Sequence, residues 1–217
     1  MTDRRRLGAA IGARPERWLD VLREQVQAAA RAGIDLVQVR EPDLEAGELA
    51  ALVRSLMRLI DGTATRLLVN DRVDVALATG ASGVHLKEQS MLPSEVRRIA
   101  PPGFLIGCSV HGSAAVAARK SADLLIAGTV RPTVSKPLVD YLDEAGLRRI
   151  VEAAGTQPVL GIGGLDVPSI PLLAATCAAG MAAVGAFIPA GGGDVAAFVQ
   201  KRADELRFAL ESAYRGK

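Results

Sequence analysis

Aromatic residues are nearly missing from this chain. One Trp, two Tyr and four Phe make up 3% of its 217 residues. That scarcity excludes a surface built to stack nucleic-acid bases, and it requires an aliphatic core. Charge of one sign is lacking too. Lys and Arg number 26 against 24 Asp and Glu, a formal net charge of +2, so no broad basic field exists to hold a polyanion. The one basic cluster, "DRRR" at 3–6, reads as a solvated terminal run. Cysteine occurs only at Cys108 and Cys177, without metal-ligand spacing, and the expected setting is a reducing cytoplasm. No apolar run approaches the about 20 residues of a membrane span. The start "MTDRRR" lacks the apolar stretch of an export signal. Neither nucleic acid nor membrane is expected as a partner.

What the chain has in quantity is alternation. Hydrophobic residues make up 49%, enough for a substantial core. Long segments with apolar residues at helical spacing, such as "WLDVLREQVQAAARAG" and "LEAGELAALVRSLMRLIDG", alternate with short apolar runs. Those runs are "IDLVQVRE", "RLLVND", "GVHL", "FLIGCS", "DLLIAGTV", "QPVLGIGG" and "MAAVGAF". A further helix is expected over "SAAVAARKSA". Strands that are apolar throughout are buried on both faces, which means a parallel sheet covered by helices. Seven strands can be counted from Leu36 onward, whereas a TIM (β/α)8 barrel needs eight. A seven-stranded open sheet and a barrel whose first strand is truncated at the N-terminus both satisfy that count. The barrel is the preferred reading, as a single domain over 1–217, because one closed mouth would gather the residues at the strand ends.

Ligands of parallel α/β folds lie at the carboxyl ends of the strands. Here those ends read Asp3, "QVRE" (38–41), "ND" (70–71), "HL" with "KEQS" (85–90), "CSVH" (108–111), "GTVRPTVSK" (128–136), "GIGG" (161–164) and "VGAF" (184–187). Random loops would not place polar and glycine residues so regularly at one end. Glycine turns such as "GIGG" and "VGA" leave backbone N–H groups unobstructed, and on the last two strands of a barrel they form a phosphate grip. A lone Gly-Gly is only a tight turn; the pair in this order points to a phosphate. Thr133, Ser135 and Lys136 add hydroxyls and an ammonium that complement phosphate oxygens. Alone, that loop would be an ordinary solvated one.

The motifs "QVRE", "VNDRVDVALATGASGVHL", "IGCSVHG", "AGTVRPTVSKP", "PVLGIGG" and "GMAAVGAF" cover almost the whole chain. In order and content they resemble the thiamine phosphate synthase/TenI family. The resemblance implies a (β/α)8 barrel enzyme of thiamine biosynthesis acting on small phosphorylated substrates. Family synthases join hydroxymethylpyrimidine pyrophosphate to a thiazole phosphate carboxylate with the help of Mg²⁺. It also matches Thr2, Asp3 and Arg4 to the end of the family's first strand. By position, Thr133, Val134, Ser135, Gly164, Val184 and Gly185 match the thiazole phosphate site. Gln38, Arg40, Glu41, Asn70, Ser109 and Lys136 match the pyrimidine pyrophosphate site, and Asp71 matches a metal-binding carboxylate.

Three positions depart from the synthase pattern. Pro42 replaces a lysine of "QLREK", Ser90 stands where a second metal-binding acid is expected, and Arg131 replaces an aromatic residue. Glu88 is the neighbouring acid able to compensate at the metal. The first two changes degrade the pyrophosphate half and leave the thiazole phosphate half, which resembles the TenI thiazole tautomerases. Proton shuffling needs an acid/base group rather than a metal. The branch's histidine position is Thr129 here, so the candidate catalytic groups are His111 and Lys136; His111 reads equally as a hydrogen-bonded anchor. Three readings stand: a TenI-like enzyme without a cofactor, an active synthase using Mg²⁺, and a non-catalytic phosphate-ligand-binding or regulatory barrel. A sugar-phosphate epimerase is a fourth. His85 reads as a satisfied interior histidine, Cys108 as a core residue, and Trp18 as packing on the first helix. A homo-oligomer would cover the open seam that a shortened first strand leaves.

Overall fold

A computed structural model describes residues 1–133 and 141–215. Its elements alternate. Helix α1 (Arg4–Ala10) and helix α2 (Trp18–Arg31) lead to strand β1 (Leu36–Val39), then α3 (Ala46–Leu59), β2 (Arg66–Asn70), α4 (Val73–Thr79) and β3 (Gly83–Leu86). Helix α5 (Pro93–Arg97), β4 (Leu105–Val110), β5 (Leu124–Gly128), α6 (Asp143–Ala154), β6 (Val159–Ile162), α7 (Ile170–Ala175), β7 (Gly180–Ala182) and α8 (Val195–Tyr214) complete the order. The seven strands found among the described residues take the same order in the sheet as in the chain. The α/β class and the parallel pairing read from the apolar runs are therefore present.

The chain divides into two units. The first is Met1–Val84 with Val184–Glu205. Its strands β1 and β2 pair in parallel from Leu36 opposite Arg66 to Val39 opposite Val69. Leu67, Leu68 and Val69 are all buried, as expected of a strand covered on both faces. Helix α2 buries Val21, Leu22, Gln25, Val26 and Ala29, one stripe at helical spacing, and widens it at its end with Ala28 and Ala30. Helix α3 starts at a capping box in which the Glu45 N–H donates to Glu48 Oε2 at 3.2 Å, satisfying an N–H that the helix itself leaves without a partner.

The start of this unit departs from expectation. "DRRR" is solvated only in part: Arg5 and Arg6 are exposed, but Arg4 is buried. Thr2 is buried, and its N–H donates to the Gln38 carbonyl at 2.8 Å, while the Arg40 N–H donates to Thr2 Oγ1 at 2.9 Å. Asp3 caps α1 by accepting from the Arg6 N–H at 3.0 Å. Arg4 is 8% exposed, and a buried guanidinium requires partners. It finds them in Glu41, at 2.8 Å, and in Asp43, bound through both nitrogens at 2.7 and 2.5 Å. Two carboxylates in the loop after β1 thus convert a basic run into a docked helix.

The second unit is His85–Ala183 with Leu206–Lys217, its last two residues lying beyond those described. Strands β4, β5, β6 and β7 pair in parallel, in that order. Every residue of β5 is buried, and Leu147, Ile150, Ile170 and Leu173 from the helices are fully buried as well. The helix expected over "SAAVAARKSA" is absent. Two short 3-10 turns, Ser113–Ala115 and Ala117–Arg119, take its place. So short a segment gains little helical cooperativity, and Arg119 turns inward, its guanidinium donating to the Glu88 carbonyl.

Leu67 has no exposed surface, so Leu67→Ala leaves a cavity in the first unit. The expected loss, read from urea denaturation of both proteins, is about 2–5 kcal/mol.

Candidate functional site

In the first unit the polar strand ends converge on β1 and β2. Gln38 is buried, and its Nε2 donates to Asn70 Oδ1 at 2.8 Å, tying the two ends together. Arg40 follows one residue after β1, exposed, with its backbone held by Thr2. No carboxylate among the described residues pairs with its guanidinium. Glu41 behaves otherwise: it is 5% exposed, and its carboxylate accepts from the Arg4 guanidinium and from the Arg4 N–H at 3.1 Å. Asp71 sits at the tip after β2 with φ of 61°, a left-handed conformation that Asp tolerates better than most residues. The turn at 184–188 is closed by Phe187 N–H to the Val184 carbonyl and Ile188 N–H to the Gly185 carbonyl, both at 3.1 Å. Buried Gln25 reaches from α2 to donate to the Phe187 carbonyl at 2.7 Å. Sequence reading passed over Gln25, because a lone Gln within a helical stripe carries no signal.

In the second unit, His85 and Ser109 form one pair and Glu88 and His111 another. His85 is 3% exposed, and its Nε2 is 2.8 Å from Ser109 Oγ. Gly107 makes room for the ring, since a side chain there would come within 2.8 Å of His85 Nδ1. His85 is thus interior, as expected, and its Nε2 contact orients Ser109, but it is not fully satisfied, since no hydrogen bond is made at its buried Nδ1 among the described residues. Glu88 Oε2 accepts from the His111 N–H at 3.0 Å and also pairs with His111 Nδ1. The acid singled out beside Ser90 is therefore turned to the histidine. Ser90 closes a turn through its N–H to the Lys87 carbonyl at 3.1 Å.

The loops after β5 and β6 run together. Val130 N–H donates to the Ile162 carbonyl at 2.9 Å and Arg131 N–H to the Gly163 carbonyl at 3.1 Å. Gly164 has φ of 62°, and a side chain on it would meet the Pro132 carbonyl at 2.6 Å, so only glycine fits. Arg131 reaches Ser169 Oγ at 3.4 Å. Thr133 is half-buried. Val134, Ser135 and Lys136 lie outside the described residues.

Cys108 has no exposed surface, and burial pushes its thiol up to about 12, which removes it as a nucleophile at neutral pH. Among the described residues no cluster of three or more His, Cys, Asp or Glu could hold a metal, and no helix is long and apolar enough to cross a membrane.

Residues 13–187 match the family model described as thiamine monophosphate synthase. A Geobacter sulfurreducens protein provisionally named thiamine-phosphate synthase is 43% identical over 169 residues, covering 75% of this chain and 78% of that one. Thiamine-phosphate synthase of Pyrococcus abyssi is 36% identical over 190 residues, 87% of this chain and 88% of that one. The solved structure of thiamine phosphate pyrophosphorylase from Pyrococcus furiosus superimposes with a TM-score of 0.75 at 31% identity, over 96% of this chain and 93% of that one.

Two measurements check these environments. The Arg4 guanidinium holds the Asp43 carboxyl at about 2, below its ordinary 3.8. A carboxyl depressed in the folded state stabilises above its unfolded value and loses that contribution as pH falls through the folded one. Melting temperature should therefore drop between about pH 4 and pH 2, and Asp43→Asn should flatten that drop. Thiol titration should find one reactive cysteine, Cys177, in the native protein and both after denaturation.

Proposed function

The chain belongs to the thiamine monophosphate synthase family, and from that premise we propose that it binds a thiazole phosphate carboxylate and moves a proton on it without a metal, in the manner of the TenI branch. The observation that carries this reading is the Glu88–His111 pair. A carboxylate accepting at Nδ1 selects the tautomer with its proton there, and leaves the Nε2 lone pair as a base. In this scheme Nε2 takes a proton from one carbon of the substrate and returns it to another, so the isomer leaves with the same atoms. Glu88 stabilises the imidazolium in between.

The same pair bears on the metal. Mg²⁺ takes oxygen donors, usually one or two carboxylates together with substrate phosphates. The chain offers Asp71, with Ser90 at the second position, and Glu88 is engaged by His111. These donors do not fit a Mg²⁺ site of the synthase kind. In the first unit, phosphate binding is assigned to Val184 and Gly185; of the other positions that the family pattern matches to the thiazole phosphate, Thr133 and Gly164 belong to the second unit, and Val134 and Ser135 lie outside the described residues. Glu41 is assigned as the brace of Arg4 rather than as a ligand. The Thr2 bonds to Gln38 and Arg40 support reading Met1–Asp3 as standing in the place of a barrel's first strand, within a single domain.

An active synthase is the second reading, favoured by one observation. The exposed Arg40 guanidinium has no carboxylate partner among the described residues and lies two residues after Gln38, whose amide is bound to Asn70, a setting that suits a pyrophosphate. On that reading the family pattern also names Ser109, held by His85, and Lys136 as pyrophosphate ligands.

Incubation with the thiazole carboxylate phosphate in EDTA should show isomerisation, and His111→Ala should lower its rate about 100-fold or more. Pyrophosphate release from both synthase substrates with Mg²⁺, at a rate above that isomerisation, would establish the second reading instead.

A further inference from the structure

The three arginines at 4–6 are placed differently. Arg4 is bound by Glu41 and Asp43, and Arg5 by Asp43 at 2.7 Å. Arg6 has no carboxylate partner among the described residues. Its backbone is fixed by the Asp3 cap, at 3.0 Å, and its guanidinium lies 3.7 Å from where a side chain on Gly185 would begin. Gly185 does not have a positive φ, so the backbone does not require glycine there. What glycine supplies at 185 is open space between the arginine and the peptide. The N–H groups of Gly185 and Ala186 have no acceptor among the described residues, while Gln25 holds the Phe187 carbonyl of the same turn.

We propose that Arg6 is the cation of the phosphate site at 184–188, binding the substrate's phosphate monoester together with the Gly185 and Ala186 N–H groups. A guanidinium carried by a capped backbone to within 3.7 Å of the Gly185 Cβ position, with two N–H donors in the same turn, matches the oxygens of a phosphate, and hydrogen bonds between charged partners are roughly twice as strong as neutral ones. Arg6 thereby selects phosphorylated thiazole over the free alcohol. The inference deepens the preceding assignment of Gly185 and rests on it for the identity of the substrate, though not for the phosphate itself.

The test measures binding of thiazole phosphate carboxylate, its dephosphorylated alcohol and inorganic phosphate to four proteins: wild type, Arg6→Ala, Gly185→Ala and Arg5→Ala. Arg6→Ala should raise the Kd for the thiazole phosphate about tenfold or more, leave the alcohol's Kd unchanged and raise KM with little change in kcat. Gly185→Ala, which adds a methyl group in ordinary contact with Arg6, should weaken the phosphate ligand while melting like wild type. Arg5→Ala, whose partner is Asp43, should bind as wild type does. An unchanged preference for phosphate over alcohol in Arg6→Ala, or an equal effect in Arg5→Ala, would overturn the proposal. Arg6-dependent binding of inorganic phosphate, with no binding of the thiazole phosphate, would uphold it and refute the thiazole reading alone.

Discussion

The docking of Arg4 onto Glu41 and Asp43 is the interaction on which the first unit's site depends. It brings together charges 37 and 39 residues apart in the chain, and it does so with Arg4 and Glu41 both buried. A buried ion pair does not gain much stability over an apolar pair of the same shape, but removing one partner is strongly destabilising. Its use here is positional. With Arg4 anchored, Thr2 meets β1, Asp3 caps α1, and Arg6 is carried to the glycine turn. Arg40, one residue before Glu41, is held at its backbone by the same segment.

Commitment of carboxylates is the common theme of both units. Glu41 serves Arg4, Asp43 serves Arg4 and Arg5, and Glu88 serves His111. A carboxylate that accepts from a guanidinium or an imidazole has lost much of its capacity to bind a cation or carry a proton itself. Among the strand-end and turn groups of the first unit, Arg6 and Arg40 have no carboxylate partner among the described residues, which suits phosphate. In the second unit it is the imidazole of His111, which suits proton transfer. The proposed division of labour follows from which charges are already neutralised.

Much of the fold was legible because burial writes itself locally. "RLLVN" and "LLIAG" are apolar throughout and became buried parallel strands, and the stripe of α2 is visible at its spacing. "SAAVAARKSA" failed because helical composition could not outweigh a short span and an arginine drawn inward to the Glu88 carbonyl. The first helix was missed because three consecutive arginines look solvated until their partners are known. In the site, Gln38, Asn70, Gly164 and Gly185 were visible at strand ends. Gln25 was not, since its role lies in reaching a carbonyl 162 residues away.

The sequence by itself determined the alternating α/β order, the polar strand ends and the family, because hydrophobic periodicity and glycine turns are properties of neighbouring residues. Tertiary structure alone decided how each charge is used: that Arg4 is a buried anchor and Arg6 an open cation, and that Glu88 belongs to His111. The physical reason is that an ion pair is fixed by distance in space, and within one run of three arginines nothing in their spacing says which one meets an acid.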